Sequence, residues 1–290
     1  MWIDELGRHV ERLQGCEDRV FVAMLGGGAG TLASLGELGL ATQERMAAHL
    51  GMRPMPLPAR TIGDHQAEYV LLLSMLAATS SKIGREIYTL MKQEFGEVEE
   101  PVPPGTVGSS TMPQKRNPKL SQDIIAAAAQ IRALAPLALE AMQTEHEADR
   151  TTSIMMSRAL VQACELTGDM LQRMMALFDG LQVFPDRMRE NLDLSGGLIM
   201  AEALMLELGK QIGRQRAHDA VYEAAQASVT QSRPFREMLA LDPLVSAGLT
   251  PAQMEELLDP ARYAGLCREF AERGAASARA IASAIELRLA

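Results

Sequence analysis

The feature that most constrains this chain is the spacing of its apolar residues. Along nearly all of its 290 residues they recur every three or four positions. That is the spacing of one face of an α-helix, and nowhere do they alternate as a half-buried strand requires. Ile3, Leu6, Val10 and Leu13 make one such stripe over residues 2–24. Gly26 to Gly30 then break the pattern as a tight turn between helices, and a second helix is expected from about Thr31, a good N-cap. The stretch at about 64–94 carries Tyr69, Leu72, Leu73, Leu76, Ile83, Ile87 and Leu90, and Val70, Leu71 and Met75 add a second apolar face over its first half. A helix apolar on more than one side is buried in a bundle or between subunits. Further helical patterns cover about 118–142, bent at Pro136, then 151–179, 198–210, 215–229, 251–258 and 260–288. One Trp, four Tyr and six Phe against 19 Met suit helix-on-helix packing better than a β-sandwich. The expected fold is all-α: a bundle of long helices over 1–195 and a smaller helical domain over 196–290, parted at Ser195-Gly196-Gly197.

Charge and cysteine content exclude several classes of function. With 28 basic and 37 acidic residues the net charge is −9, against a general nucleic-acid binder. Cys16, Cys164 and Cys267 are odd in number and far apart, which argues against a disulfide framework or a zinc site and points to a reducing cytoplasm. No apolar run reaches the roughly 18–20 residues of a membrane span. Met1 to Leu13 is amphipathic and charged, unlike a secretory signal. The chain opens inside a helical pattern, as expected of one that starts partway through a domain.

Residues 96–118 lack periodicity and are rich in Pro, Gly, Ser and Thr, the composition of a long functional loop. The loop ends in Gly108-Ser109-Ser110-Thr111-Met112-Pro113-Gln114-Lys115-Arg116-Asn117-Pro118. Asn117-Pro118 reads as a helix start, and a helix N-terminus with Lys115 beside it reads as an anion site. Composition alone is equally met by a Ser/Pro-rich surface loop before a capped helix.

The full string is more specific. It resembles the signature loop of the fumarase/aspartase superfamily, GSSxMPxKxNP, with all eight fixed positions met. Gly26 to Gly36, Gly96-Glu97, His146-Glu147, Met188 to Asn191, Gly197 and Glu202 follow in that family's order. Leu258-Asp259-Pro260, Tyr263 and Gly265 resemble the 3-carboxy-cis,cis-muconate cycloisomerase branch, with adenylosuccinate lyase next. The resemblance implies a lyase or cycloisomerase acting on a small di- or tricarboxylate, with no cofactor or metal. Ser109 would abstract the proton next to a carboxylate. Lys115 and Asn117 would stabilise the resulting aci-carboxylate, and Ser110, Thr111, Met112 and His146 would contact substrate. It also implies a homotetramer with shared active sites, and a catalytic histidine upstream of Met1.

The chain departs from the family at several points. Gln122 stands seven residues after Lys115, where many members have a glutamate, and a neutral amide cannot stabilise an imidazolium as a carboxylate does. In Glu145 to Arg150 and Thr152 to Met156 the basic residues that suit an AMP-type substrate are displaced, and Gly63 replaces an arginine near Arg60. His9 and His49 read as solvated helix positions, His65 as local, His218 as structural and the methionines as core filler. Three readings stand: a 3-carboxymuconate cycloisomerase-like enzyme, an adenylosuccinate lyase-like C–N lyase, and a truncated non-catalytic homologue acting as scaffold or partner subunit.

Overall fold

The computed structural model describes residues 1–102, 111, 112 and 115–289, with twelve α-helices and four two-residue strands among them. The all-α expectation holds. The chain divides into two compact units. The first comprises Met1–Lys92, Val98–Gln182 and Ser277–Ala290, and the second Gln93–Glu97 and Val183–Ala276. The Ser195 to Gly197 break falls inside the second unit. No helix among the described residues is long and apolar enough to cross a membrane.

The first unit is built on α1 (Trp2–Val20), α3 (Asp64–Leu90), α4 (Lys119–Glu140) and α5 (Arg150–Asp179). α3 packs on α1, α4 and α5, and α4 packs on α5. Val70, Leu73, Ile83, Ile124, Ile131, Met156 and Met170 fill the space between them. Each such fully buried side chain stabilises the bundle by roughly 1.5–3 kcal/mol. On α1 the inward stripe is Trp2, Leu6, His9, Leu13, Cys16 and Val20. His9 shares the spacing of that stripe and is therefore buried, not solvated as expected. It is 7% exposed, and its Nε2 lies 2.9 Å from Thr79 Oγ1. Burial lowers its pKa.

The expected helix from Thr31 starts later, at α2 (Gly39–His49), after a short 3₁₀ turn at Gly36–Leu38. Close packing extends the irregular segment. A Cβ on Gly26 would sit 2.5 Å from the Pro58 carbonyl oxygen, and one on Gly30 would sit 2.7 Å from it. These glycines let residues 26–30 lie against Pro58, a contact beyond the turn read from their sequence. Nearby, β1 (Val22–Ala23) runs parallel to β2 (Arg53–Pro54). Met55 N donates to Ala23 O at 2.9 Å, and buried Gln43 Nε2 donates to Met55 O at 2.6 Å. Residues 53–58 are thus fixed from two sides.

The second unit holds α6 (Pro185–Leu192), α7 (Ala201–Ile212), α8 (Arg214–Gln231), α9 (Phe235–Leu241), α10 (Pro243–Gly248), α11 (Pro251–Leu257) and the first part of α12 (Cys267–Leu289). Its core is Leu204, Leu208, Val221, Phe235, Leu239, Val245 and Leu249. Thr250 and Gln253 form a reciprocal capping box on α11. Arg187 Nε and Asn191 Nδ2 donate to Phe95 O at 2.8 and 2.9 Å, and Asn191 also reaches Glu97 Oε1 at 2.7 Å. These bonds hold residues 93–97 in this unit.

Candidate active site

The described part of the signature loop meets the N-terminus of α4. Ser109 and Ser110 lie outside the described residues. Thr111, Met112 and Lys115 are exposed, and Asn117 is half-buried. Lys115 N donates to Met112 O at 3.0 Å, turning the backbone so that the lysine precedes the helix by one turn. Gln122 is exposed in the first turn of α4.

The helix N-terminus is not the open anion site expected from Asn117-Pro118. Helix α4 begins at Lys119, and the N-cap residue, Pro118, has no side chain able to cap. Its first free amides are satisfied from within the chain. Lys119 N donates to Asn117 O at 2.8 Å and Gln122 N to Pro118 O at 2.9 Å. Between them, the carboxylate of Glu100, 2% exposed, accepts from Leu120 N at 2.8 Å and from Ser121 N and Oγ at 3.1 Å. A buried carboxylate there satisfies the orphan donors and meets the positive end of the helix dipole. The preceding residue, Glu99, pairs with Arg116 at 3.3 Å. Two successive carboxylates therefore join the two ends of the loop, and one fills the helix terminus. Lys115 remains as a cation with no ion pair among the described residues.

The C-terminal end of α4 differs. Its 22 residues set the two ends about 33 Å apart at 1.5 Å per residue. Here the connection to α5 holds His146, exposed and with φ of 55°. Among the described residues no hydrogen bond or ion pair joins His146 to Lys115 or Asn117. One chain thus places the loop and His146 at opposite ends of the same helix.

A cavity of about 430 Å³ opens at this second end, walled by Met24, Met55 and Met156 and edged by Arg60, His65, Gln66, Thr144 and Ser157. Thr144 Oγ1 donates to Thr152 Oγ1 at 2.8 Å, tying the end of α4 to the start of α5. His65 is a cavity residue and not merely a local partner of Asp64. Its side chain is 14% exposed, and burial lowers its pKa despite Asp64 Oδ1 at 4.0 Å. Sequence reasoning missed this cavity because residues 53–66 show no motif. It also missed Glu100, whose only trace was a Glu-Glu-Pro run.

Comparisons with known proteins agree with the fold. A model of the Lyase family matches residues 1–133, and one described as adenylosuccinate lyase C-terminus matches 197–274. N-acetyl-S-(2-succino)cysteine lyase of Dickeya dadantii is 37% identical over 265 residues, covering 91% of this chain and 58% of that protein. The 3-carboxy-cis,cis-muconate cycloisomerase of Pseudomonas aeruginosa is 39% identical over 276 residues, covering 95% and 60%. The crystal structure of 3-carboxy-cis,cis-muconate lactonizing enzyme from Pseudomonas putida superposes with a TM-score of 0.87 at 36% identity, covering 96% of this chain and 62% of that one. The chain belongs to the fumarase/aspartase superfamily. It spans about 60% of the length of these relatives.

Proposed function

We propose that the protein is a lyase or cycloisomerase of a small di- or tricarboxylate, most like a 3-carboxy-cis,cis-muconate cycloisomerase. What carries the reading is the complete signature string from Gly108 to Pro118 ahead of a helix whose own terminus is filled by Glu100. With the helix terminus filled by Glu100, Lys115 remains as a cation ahead of it, and in this reading Lys115 and Asn117 bind the substrate carboxylate. In this reading Ser109, as alkoxide, takes the proton from the carbon next to that carboxylate. The electron pair moves into the carboxylate to give an aci-carboxylate, which collapses to a double bond and expels the leaving group. Lactonisation is the same chemistry with a carboxylate oxygen as the group that leaves or adds. Ser110, Thr111 and Met112 would line the substrate, and His146 would contact it.

We further read the working form as a homo-oligomer, with the tetramer of the family as the specific case. Helix α5 carries two seams. The inward one runs through Met156, Ala159, Ala163, Met170, Met174 and Leu177. The outward one, Ile154, Ser157, Val161, Cys164, Gly168, Leu171, Met175 and Phe178, has a strict three-four spacing, and Ile154, Val161 and Met175 are 56, 51 and 73% exposed. Such a seam suits a partner helix. A second chain would also allow the loop of one copy to meet His146 of another.

The test is a substrate screen with the whole natural protein. It covers 3-carboxymuconate, adenylosuccinate, N-acetyl-S-(2-succino)cysteine and trans-aconitate, and follows the absorbance of the conjugated double bond. Turnover of one of these that is lost in Ser109→Ala supports the reading. Turnover of none, or full turnover by Ser109→Ala, contradicts it.

A further inference from the structure

We propose that a cavity between the middle of α3 and the middle of α4 binds a phosphate group, held by Ser81, Arg85 and Arg132. The cavity measures about 440 Å³ and is lined by Ser81, Lys82, Arg85, Glu86 and Thr89 of α3 and by Arg132 of α4. The α3 residues recur every three or four positions and so share one face of that helix. Two polar atoms in the lining lack partners. Ser81 is 4% exposed, and its hydroxyl makes no hydrogen bond. A serine inside a helix commonly bonds the carbonyl four residues back. On the same helix Ser74 does so to Val70 O at 2.8 Å and Ser80 to Leu76 O at 3.0 Å. Ser81 does not, and its hydroxyl is left for the cavity that it lines. Arg132 Nη1 is buried as well and has no acceptor. Buried polar groups are nearly always paired, and an unpaired guanidinium N–H destabilises the fold. Two helices thus bring one orphan donor each to the same cavity, and a ligand with several acceptor oxygens satisfies both.

Charge and geometry set the class of ligand. Lys82 is paired with Glu5 of α1. Arg85 and Arg132 then face one acid, Glu86, so the lining keeps an excess of positive charge. A hydroxyl and two guanidinium groups on different helices suit a tetrahedral oxyanion, whose oxygens point several ways, and a guanidinium holds phosphate in a fork. The volume lies in the range of small-molecule sites, so a small organic phosphate fits as well as the free ion. The site is separate from the signature loop and from the cavity beside His65. Arg132 lies thirteen residues past Lys119, about 20 Å along α4. Ser81 lies sixteen residues past His65, about 24 Å along α3.

The proposal concerns binding alone and uses none of the groups of the proposed reaction, so either can fail while the other stands. The experiment is calorimetric titration of the whole protein with inorganic phosphate and with glycerol 3-phosphate, at an ionic strength held constant with chloride. Saturable binding is expected, weaker by about tenfold or more in Arg132→Gln and unchanged in Lys115→Gln. Ser81→Ala should weaken binding several-fold without lowering the melting temperature in chloride, because the hydroxyl it removes is unpaired. Circular dichroism checks folding, and Arg85→Gln, at an exposed position, is a second charge variant with the same expected loss. Tighter binding of glycerol 3-phosphate assigns the site to an organic phosphate, and equal or weaker binding to the free ion; both support the proposal. No saturable binding, affinity unchanged in Ser81→Ala or in a folded charge variant, or affinity lost in Lys115→Gln would each overturn it.

Discussion

The two ends of α4 solve the same physical problem in opposite ways. At the N-terminal end, every free amide of the first turn has a partner supplied by the chain itself, and Glu100 brings a full charge into a nearly closed position. At the C-terminal end, Thr144 and Thr152 pair with each other, and Arg60, Gln66 and Ser157 around the neighbouring cavity have no side-chain partner among the described residues. Buried polar groups need partners, so an end that is internally satisfied is a scaffold. Donors without partners beside a cavity are where a ligand can be held. In the proposed reading the first end supports the loop that carries the chemistry; the second borders a cavity.

This contrast can be broken by substitution. The largest effect belongs to the loop: Ser109→Ala should lower kcat by about 10²–10⁴-fold with little change in stability. A drop in melting temperature that explains the loss would instead make Ser109 part of the scaffold. Glu100→Ala should act the other way round. It leaves the amides of Leu120 and Ser121 and the Ser121 hydroxyl without their acceptor, and should cost about 2–3 kcal/mol in urea unfolding. Unchanged stability would mean that water serves the helix terminus equally well. A third test concerns α5. Val161→Glu with Met175→Glu places charges on the outward seam, and light scattering should report a mass at least halved with helical content retained.

The smallest effect is a pH dependence. Burial lowers the pKa of His9 in the folded chain, so the unfolded chain takes up its proton first as pH falls. Stability should therefore be full above about pH 6.5 and decline from there down to the folded pKa. His65 acts with the same sign. His9→Gln, which can still bond to Thr79, should make the decline shallower. An unchanged slope would shift the acid sensitivity to other groups.

What the sequence could disclose follows from the range of each interaction. Long helices were legible because a three-four stripe repeats over many turns; α3, α4 and α5 lie within a few residues of their expected spans. Helices α9 and α10, of seven and six residues, are too short for a period to build up. The Asp242-Pro243 pair was the available signal, since Asp242 caps α10 through Leu244 N and Val245 N. The signature loop was legible as a string, but the role of its helix junction was not. Whether that terminus is open or filled depends on Glu100, twenty residues upstream of the amides it binds. The outward seam of α5 was hidden for a different reason. Interleaved with the inward seam, it reads as one broadly apolar helix until exposure separates the two.

The central claim of the proposed reading is that one chain holds the signature loop and His146, both proposed to meet one substrate, about 33 Å apart at opposite ends of α4, so that a working site would draw on more than one copy. Mixing tests it directly. Ser109→Ala and His146→Ala variants of the whole protein, each of low activity, are unfolded together, refolded together and assayed against the same variants refolded alone. The account predicts that the mixture regains activity well above both parents, because some sites then pair an intact loop with an intact His146. A mixture no more active than its parents, with mixed oligomers present by mass, would contradict it.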